Sequence, residues 1–274
     1  MKIYTKGITH SGKFHADDVF STALLKILNP EFTVTRVSYV PDNINDCIVY
    51  DIGRGAFDHH AEEVKLHENG KPYASFGLLW DQYGEYVTKS PNAKKRLEEK
   101  FVSVIDDCDN GGERDMVSVA ISSFNPPWNS DADRDEAFNE AVNVALIILN
   151  KMIIKECAVD EADAEIMKAS KNIKDNIVVL ERFAPWEKIL TQTEAKFVVY
   201  PSMRGGYNVQ GVPVEEGSRE VKVPFPSEWC GLENEQLEAI SKIDGMKFCH
   251  NSGFLIAVNS LETALIAARK AMEE

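Results

Sequence analysis

Four of the six histidines fall within the first 60 residues, each close to an aspartate. One group is His10-Ser11-Gly12-Lys13-Phe14-His15-Ala16-Asp17-Asp18; the other is Asp51 followed by Asp58-His59-His60. Imidazole nitrogen and carboxylate oxygen suit manganese, iron, zinc or magnesium in hydrolytic sites, and two such ions need several carboxylates, one of which bridges. A lone histidine near an aspartate is more often a surface pair or a satisfied core group. Four histidines with at least four aspartates at strand-to-loop junctions point instead to a metal centre.

Such groups must be carried to one place. Ile3-Tyr4-Thr5, Phe32 to Val37 and Ile48-Val49-Tyr50 read as strands from their β-branched and aromatic content. Asp17 to Leu28 has the apolar pattern of a helix packed on a sheet. The order favours an α/β fold, a mainly parallel sheet with flanking helices, and such sheets place ligands at strand C-terminal ends. Ala74 to Tyr83 and Lys94 to about Asp109 read as helices, with Pro91 a plausible start for the second. In the latter, Asp106 and Asp109 are three apart, on neighbouring positions of one face. Acids at a helix C-terminus oppose the macrodipole, which argues against a purely stabilising role.

A long helical stretch runs from about Asp133 to Ser170, with a break. Strands follow at Ile177 to Leu180, Phe197 to Tyr200, Tyr207 to Val212, Lys247 to His250 and Phe254 to Val258, and Leu261 to Met272 closes the chain as a helix. The change of pattern sets a division near residue 175, with a metal-binding domain over 1–175 and a smaller α/β domain over 176–274 for substrate binding. In that second domain Arg204-Gly205-Gly206 and His250-Asn251-Ser252-Gly253 offer cationic and backbone donors on turns, so Arg204, His250, Ser252 and Gly253 are the substrate-binding candidates. Ordinary hairpin connections are the competing reading.

The chain has 274 residues, 30 basic and 44 acidic, for a net charge of −14, with 44% apolar residues, which is a folded, soluble composition. That charge disfavours a broad basic face gripping duplex nucleic acid. A small polyanion stays admissible, because bound cations invert the field of an acidic pocket. Five scattered cysteines without a C-x-x-C pair disfavour a disulfide framework or a thiolate zinc site. The N-terminal residues show no apolar signal core, and no run is long enough to span a bilayer, so the expectation is a cytoplasmic protein without a membrane partner. Lys13 after Gly12 lacks P-loop spacing. His67, beside Glu68-Asn69-Gly70, reads as solvated, and Phe124 to Trp128 as a proline-stiffened loop packed by Trp128, with base stacking as the other reading.

The Asp58-His59-His60 triplet, with Asp51 and the N-terminal loop, resembles the DHH phosphoesterase superfamily. More specifically, Thr9 to Asp18, Phe101 to Gly111, Asn125 to Asn129 and Phe248 to Phe254 resemble the melanocyte-proliferating-gene-one family over nearly the whole chain. The resemblance implies a two-domain DHH phosphoesterase-like α/β fold, a divalent metal centre and phosphodiester hydrolysis, with 3′-to-5′ exonuclease action on RNA or short oligonucleotides. Carried over by position, it implies His10, Asp17, Asp51, His59 and Asp106 as metal ligands. His15 stands at a corner where most superfamily members have aspartate, and joins the implied metal ligands there as a nitrogen donor. Asp51 is the choice for the bridging carboxylate. The resemblance also implies that His60 meets the substrate phosphate while Asp58 orients the histidines. Manganese is the first expectation for the metal, with magnesium, iron and zinc accepting the same donors. The competing functions are a manganese pyrophosphatase or small-nucleotide phosphodiesterase, and a metal-binding regulatory protein without turnover.

Overall fold

A computed structural model describes residues 2–44, 46–60 and 64–273. The chain forms two compact units, 1–160 and 161–274, and the division falls inside one long helix.

In the first unit, β1 (Lys6–His10) lies between β2 (Thr33–Val37) and β3 (Cys47–Val49), all parallel, in the order β2-β1-β3. The first strand begins three residues later than its aromatic and β-branched start suggested: Gly7, Ile8 and Thr9 are the buried positions. Parallel pairing needs a crossover, and α1 (Ala16–Leu28) supplies it between β1 and β2. Ala16 to Leu25 are buried without interruption, and the helix packs against α2 (Ser75–Thr88), α4 (Ser103–Asp109) and α5 (Met116–Ser122). Asn29 closes it, and Pro30 cannot continue it.

The core around α1 holds Phe20 edge-on to Phe101, with ring centroids 5.0 Å apart, together with Phe76, Trp80 and Leu24. Each fully buried aromatic or leucine contributes about 1.5–3 kcal/mol relative to exposure. The helical run expected from Lys94 to Asp109 starts earlier, at α3 (Pro91–Leu97), and passes through a π-helical segment, Glu98–Val102, before α4. Helix α6 (Arg134–Ser170) is continuous where a break was expected.

The second unit is a five-stranded sheet in the order β4-β5-β6-β8-β7, formed by Ile177–Val179, Phe197–Pro201, Tyr207–Gly211, Leu255–Val258 and Met246–Cys249 respectively. The β4–β5 pair is parallel and the others antiparallel, so this unit is mixed α/β. Helix α7 (Glu187–Leu190), α8 (Asn234–Ser241) and α9 (Leu261–Glu273) complete it, and alanines 264, 267, 268 and 271 of α9 are buried in its core. No helix of the described residues is long and apolar enough to cross a membrane.

Candidate metal centre

The parallel sheet delivers His10 at the C-terminal end of β1 and Asp51 just beyond β3. The loop after His10 is pinned from both sides. Ser11 N donates to Val37 O at 2.7 Å, and Arg36 Nη2 donates to Gly12 O at 2.8 Å. The Arg36 guanidinium lies 4.6 Å from the Phe138 ring centroid, held in a cation–π contact. Asp18 Oδ1 accepts His15 N at 3.0 Å, so one oxygen caps α1 while the other faces the cluster. Asp51 sits in the left-handed region, φ 55°, a conformation uncommon outside glycine that concentrates at functional sites. Asp58 Oδ1 accepts His60 N at 3.1 Å and meets His60 Nδ1 at 2.7 Å, fixing that ring.

Three groups of donors then crowd together, each with its ligand atoms within 4.8 Å of one another: His10, Asp18 and Asp51; Asp51, Asp58, His59 and His60; and His15, Asp17 and Asp109. Asp51 belongs to the first two. His10 Nε2 stands 3.2 Å from Asp18 Oδ2 and 3.1 Å from Asp51 Oδ2. His59 links the other groups, Nδ1 at 3.4 Å from Asp51 Oδ1 and Nε2 at 3.2 Å from Asp109 Oδ2. His15 Nδ1 is 3.3 Å from Asp109 Oδ1.

The electrostatics of so many acids in a dry corner are severe. Burial, reinforced by Asp51 and Asp109, pushes the Asp17 carboxyl well above the usual carboxylate range, and burial also raises Asp18. Burial would lower His10, but its bonds to Asp18 and Asp51 outweigh that and lift it to about 10. Burial raises Asp109, yet His15 and His59 hold it below the usual value. The site therefore draws positive charge. Asp17 Oδ1, Asp18 Oδ2, Asp51 Oδ1 and His59 Nδ1 are buried with no hydrogen bond of good geometry; the last three have only the histidine–carboxylate approaches just given. His10 Nδ1 lies 3.0 Å from Ser11 O, the outer bond that turns a ligating imidazole's other nitrogen toward a metal. Orphaned lone pairs aimed inward, in a nitrogen and oxygen donor set, fit divalent cations.

The structure brings His10, His15, Asp17, Asp51, Asp58, His59 and His60 together. It does not bring Asp106 there. That carboxylate is fully buried against His67 Nε2 at 2.8 Å and the Gly77 amide at 3.0 Å, and Asp109, one turn on, stands in the cluster. Three residues leave two helical side chains about 60° apart, enough to send them to different neighbours. His67 is 4% exposed rather than solvated: its turn is polar, but its ring faces inward. Trp128 packs nothing and is 95% exposed.

The second unit's candidates separate. Arg204 lies in the β5–β6 turn, at the end of the sheet where Tyr207 pairs with Val258. His250, Ser252 and Gly253 form the β7–β8 turn, at the opposite end, where Gln210 pairs with Leu255. Four strand residues at about 3.3 Å each keep the two turns apart. His250 Nδ1 accepts Ser252 N at 3.1 Å, a turn-internal bond.

Asp18 and Asp109 are donors that the sequence pattern alone does not pick out, although Asp18 adjoins Asp17 and Asp109 lies one turn from Asp106. Nor does it pick out Lys13 or Arg54; both line the cavity of about 640 Å3 over the cluster. Arg54, like Asp51, sits in the left-handed region, φ 56°, in the turn after that aspartate.

Fold and site together define an α/β protein with a buried histidine–aspartate cluster, built on one parallel sheet and able to hold divalent cations. The MYG1_exonuc family model, described as an uncharacterised protein family (UPF0160), matches residues 6–272, and the chain belongs to that family. It is 30% identical to the rat protein named MYG1 exonuclease, with 97% of this chain and 84% of the relative covered. The human MYG1 exonuclease is 28% identical over 97% of this chain and 85% of its own, and the Dictyostelium discoideum MYG1 protein 25% identical over 97% and 96%. No solved structure matches.

Proposed function

We propose that the chain is a metal-dependent phosphodiester hydrolase, a 3′-to-5′ exonuclease acting on RNA or short oligonucleotides. The carrying observation is that Asp51 belongs to two of the donor groups at once, beneath a cavity rimmed by Lys13 and Arg54. Relatives of this family that carry the name exonuclease support the same reading.

His10, His15, Asp17, Asp18, Asp51, His59 and Asp109 would hold the ions, with Asp51 shared. Divalent ions bound there would supply Lewis-acid activation of water and neutralise charge on the phosphoryl oxygens, and manganese suits the donor set. The chain's own residues do the rest. Lys13 and Arg54 attract the phosphate across an acidic surface. His60, its side chain 63% exposed, is turned by Asp58 so that Nε2 faces outward, where it can donate a proton to a phosphate or leaving oxygen.

The test is to supply manganese and compare end-labelled RNA, end-labelled DNA, pyrophosphate and dinucleotides. Stepwise release of mononucleotides from the RNA 3′ end is expected. Cleavage of pyrophosphate alone would replace the reading with a pyrophosphatase, and inertness toward all four with metal bound would leave a metal-binding regulator. Asp51→Ala should abolish metal-dependent turnover; a folded Asp51→Ala protein working at the wild-type rate would sink the proposed centre.

A further inference from the structure

Beside the metal cluster lies a second cavity, of about 490 Å3, that shares His15 and Asp109 with the first. This is within the range of small-ligand sites. Its far wall is α5 and the residues just before it. Arg114 is exposed there, and no carboxylate pairs with it among the described residues. Ser118 and Ser122, four apart, share a face of α5 and line the same space, with Val119 and Ile105 as apolar wall. Ser118 Oγ is buried and has no hydrogen-bond partner, although the residue is only 7% exposed. Asp115 caps α5, its Oδ1 accepting Val117 N at 2.8 Å and Ser118 N at 3.1 Å, so the wall is fixed rather than frayed.

A free guanidinium, hydroxyls that both donate and accept, and a short apolar wall match one repeating unit of an RNA strand. The guanidinium takes a phosphate, the hydroxyls take the ribose 2′-OH, and the aliphatic side chains cover the sugar. The geometry points to this side cavity as the subsite for the ribose–phosphate unit adjoining the scissile bond, with Arg114 gripping its phosphate and the partly exposed Ser122 reading its 2′-hydroxyl. The inference rests on the hydrolase reading above and assigns that site its preference for ribose.

The probe is a fluorescein-labelled adenosine trinucleotide with phosphorothioate linkages, which resist hydrolysis, in ribo and deoxyribo forms. Its affinity is measured by anisotropy with manganese present, alongside turnover of the unmodified ribo form and of bis(p-nitrophenyl) phosphate. Arg114→Ala should weaken ribo-trinucleotide binding about tenfold, the effect of losing a charge-assisted hydrogen bond, and should lower the ratio of trinucleotide to bis(p-nitrophenyl) phosphate turnover by a similar factor. Ser122→Ala should cut the ribo-over-deoxyribo preference by about fivefold. Val119→Trp, which fills the cavity from an exposed position, should reproduce the binding loss and guards against a misfolded Arg114 variant. Wild-type turnover of RNA with all three variants binding like the parent would overturn the subsite and leave the hydrolase reading standing. Loss of binding in the variants of a protein that cleaves no phosphodiester would do the reverse.

Discussion

His67 and Asp106 form an ion pair sealed inside the first unit, Nε2 to Oδ2 at 2.8 Å, with side chains 2% and 0% exposed. The other imidazole nitrogen reaches Glu98 Oε1 at 3.0 Å, and the ring stacks on Tyr73 at 3.7 Å between centroids. Asp106 completes its coordination with the Gly77 amide, where no side chain could fit: a Cβ on Gly77 would lie 1.8 Å from Asp106 Oδ2. The pair ties α4 to α2 and to the 64–73 segment, and α4 ends in Asp109. On the proposed reading, its task is to hold the helix that carries Asp109, a metal ligand.

That task has a pH signature. Burial alone would lower His67, but its bonds to Asp106 and Glu98 prevail and raise it to about 9. A histidine raised on folding contributes stability that is complete below the unfolded value, about 6.5, and lost as pH climbs through 9. His67→Gln should therefore cost about 3–5 kcal/mol at pH 6, the effect of breaking a buried pair. The gap between variant and parent should narrow by pH 10. Urea titrations at both pH values check this, and a gap independent of pH would contradict a charged His67.

Asp109→Ala and Asp106→Asn separate a ligand from a brace. Asp109→Ala should lower manganese affinity by at least about 100-fold and erase the thermal stabilisation that saturating manganese gives the parent, of about 2.7 kcal/mol at 100 times Kd. Asp106→Asn should melt earlier yet bind manganese within a few-fold of the parent. Calorimetric titration and melting with and without chelator measure both. Equal affinity losses in the two variants would return Asp106 to the ligand set.

The parallel sheet, α1 and the two His–Asp clusters were readable because each is written in local pattern: β-branched runs, a helical apolar stripe, and donors packed within nine or ten residues. What the pattern could not reach was set by long-range geometry. His67 finds Asp106 across 39 positions, a pairing no window around a polar turn reveals. The choice between Asp106 and Asp109 depends on how α4 leaves the π-helical segment, a rotation invisible in the spacing of acids. Arg204 and His250 both sit on donor-rich turns, and only the antiparallel pairing of β6 with β8 puts them at opposite ends. Helix α5 is only seven residues long, and its β-branched Val117, Val119 and Ile121 alternate as they would in a strand, so no helical stripe marks it, although it walls a cavity beside the cluster.

Trp128 gives a sharper test of strand binding than any charge. Its loop is clamped to the first histidine motif, because Asn125 Oδ1 accepts Phe14 N at 3.1 Å and its Nδ2 donates to Phe14 O at 2.8 Å. An indole 95% exposed on such a clamp contributes nothing to the core and offers a flat face to a base. Trp128→Ala should leave stability within about 0.5 kcal/mol of the parent and weaken single-stranded RNA by about 1–3 kcal/mol. Denaturation and anisotropy measured on one preparation decide it. A large stability loss with intact RNA binding would give Trp128 a packing role instead.

Salt tests how few phosphates the protein grips. Lys13 and Arg54 rim the metal cavity and Arg114 lines its neighbour, on a chain whose net charge is −14. Each phosphate neutralised on a single strand contributes about −0.7 to the slope of log K against log salt, so these cations together predict about −2. The slope should fall by about 0.7 in Arg114→Ala and stay constant as the RNA grows beyond a few nucleotides, since a net charge of −14 disfavours a broad basic face for the rest of the strand. Binding isotherms of oligoadenylates at fixed free manganese between low and moderate salt give the number. A slope that steepens with length would mean that phosphates are gripped well beyond the cluster, against the picture of a terminus-feeding site.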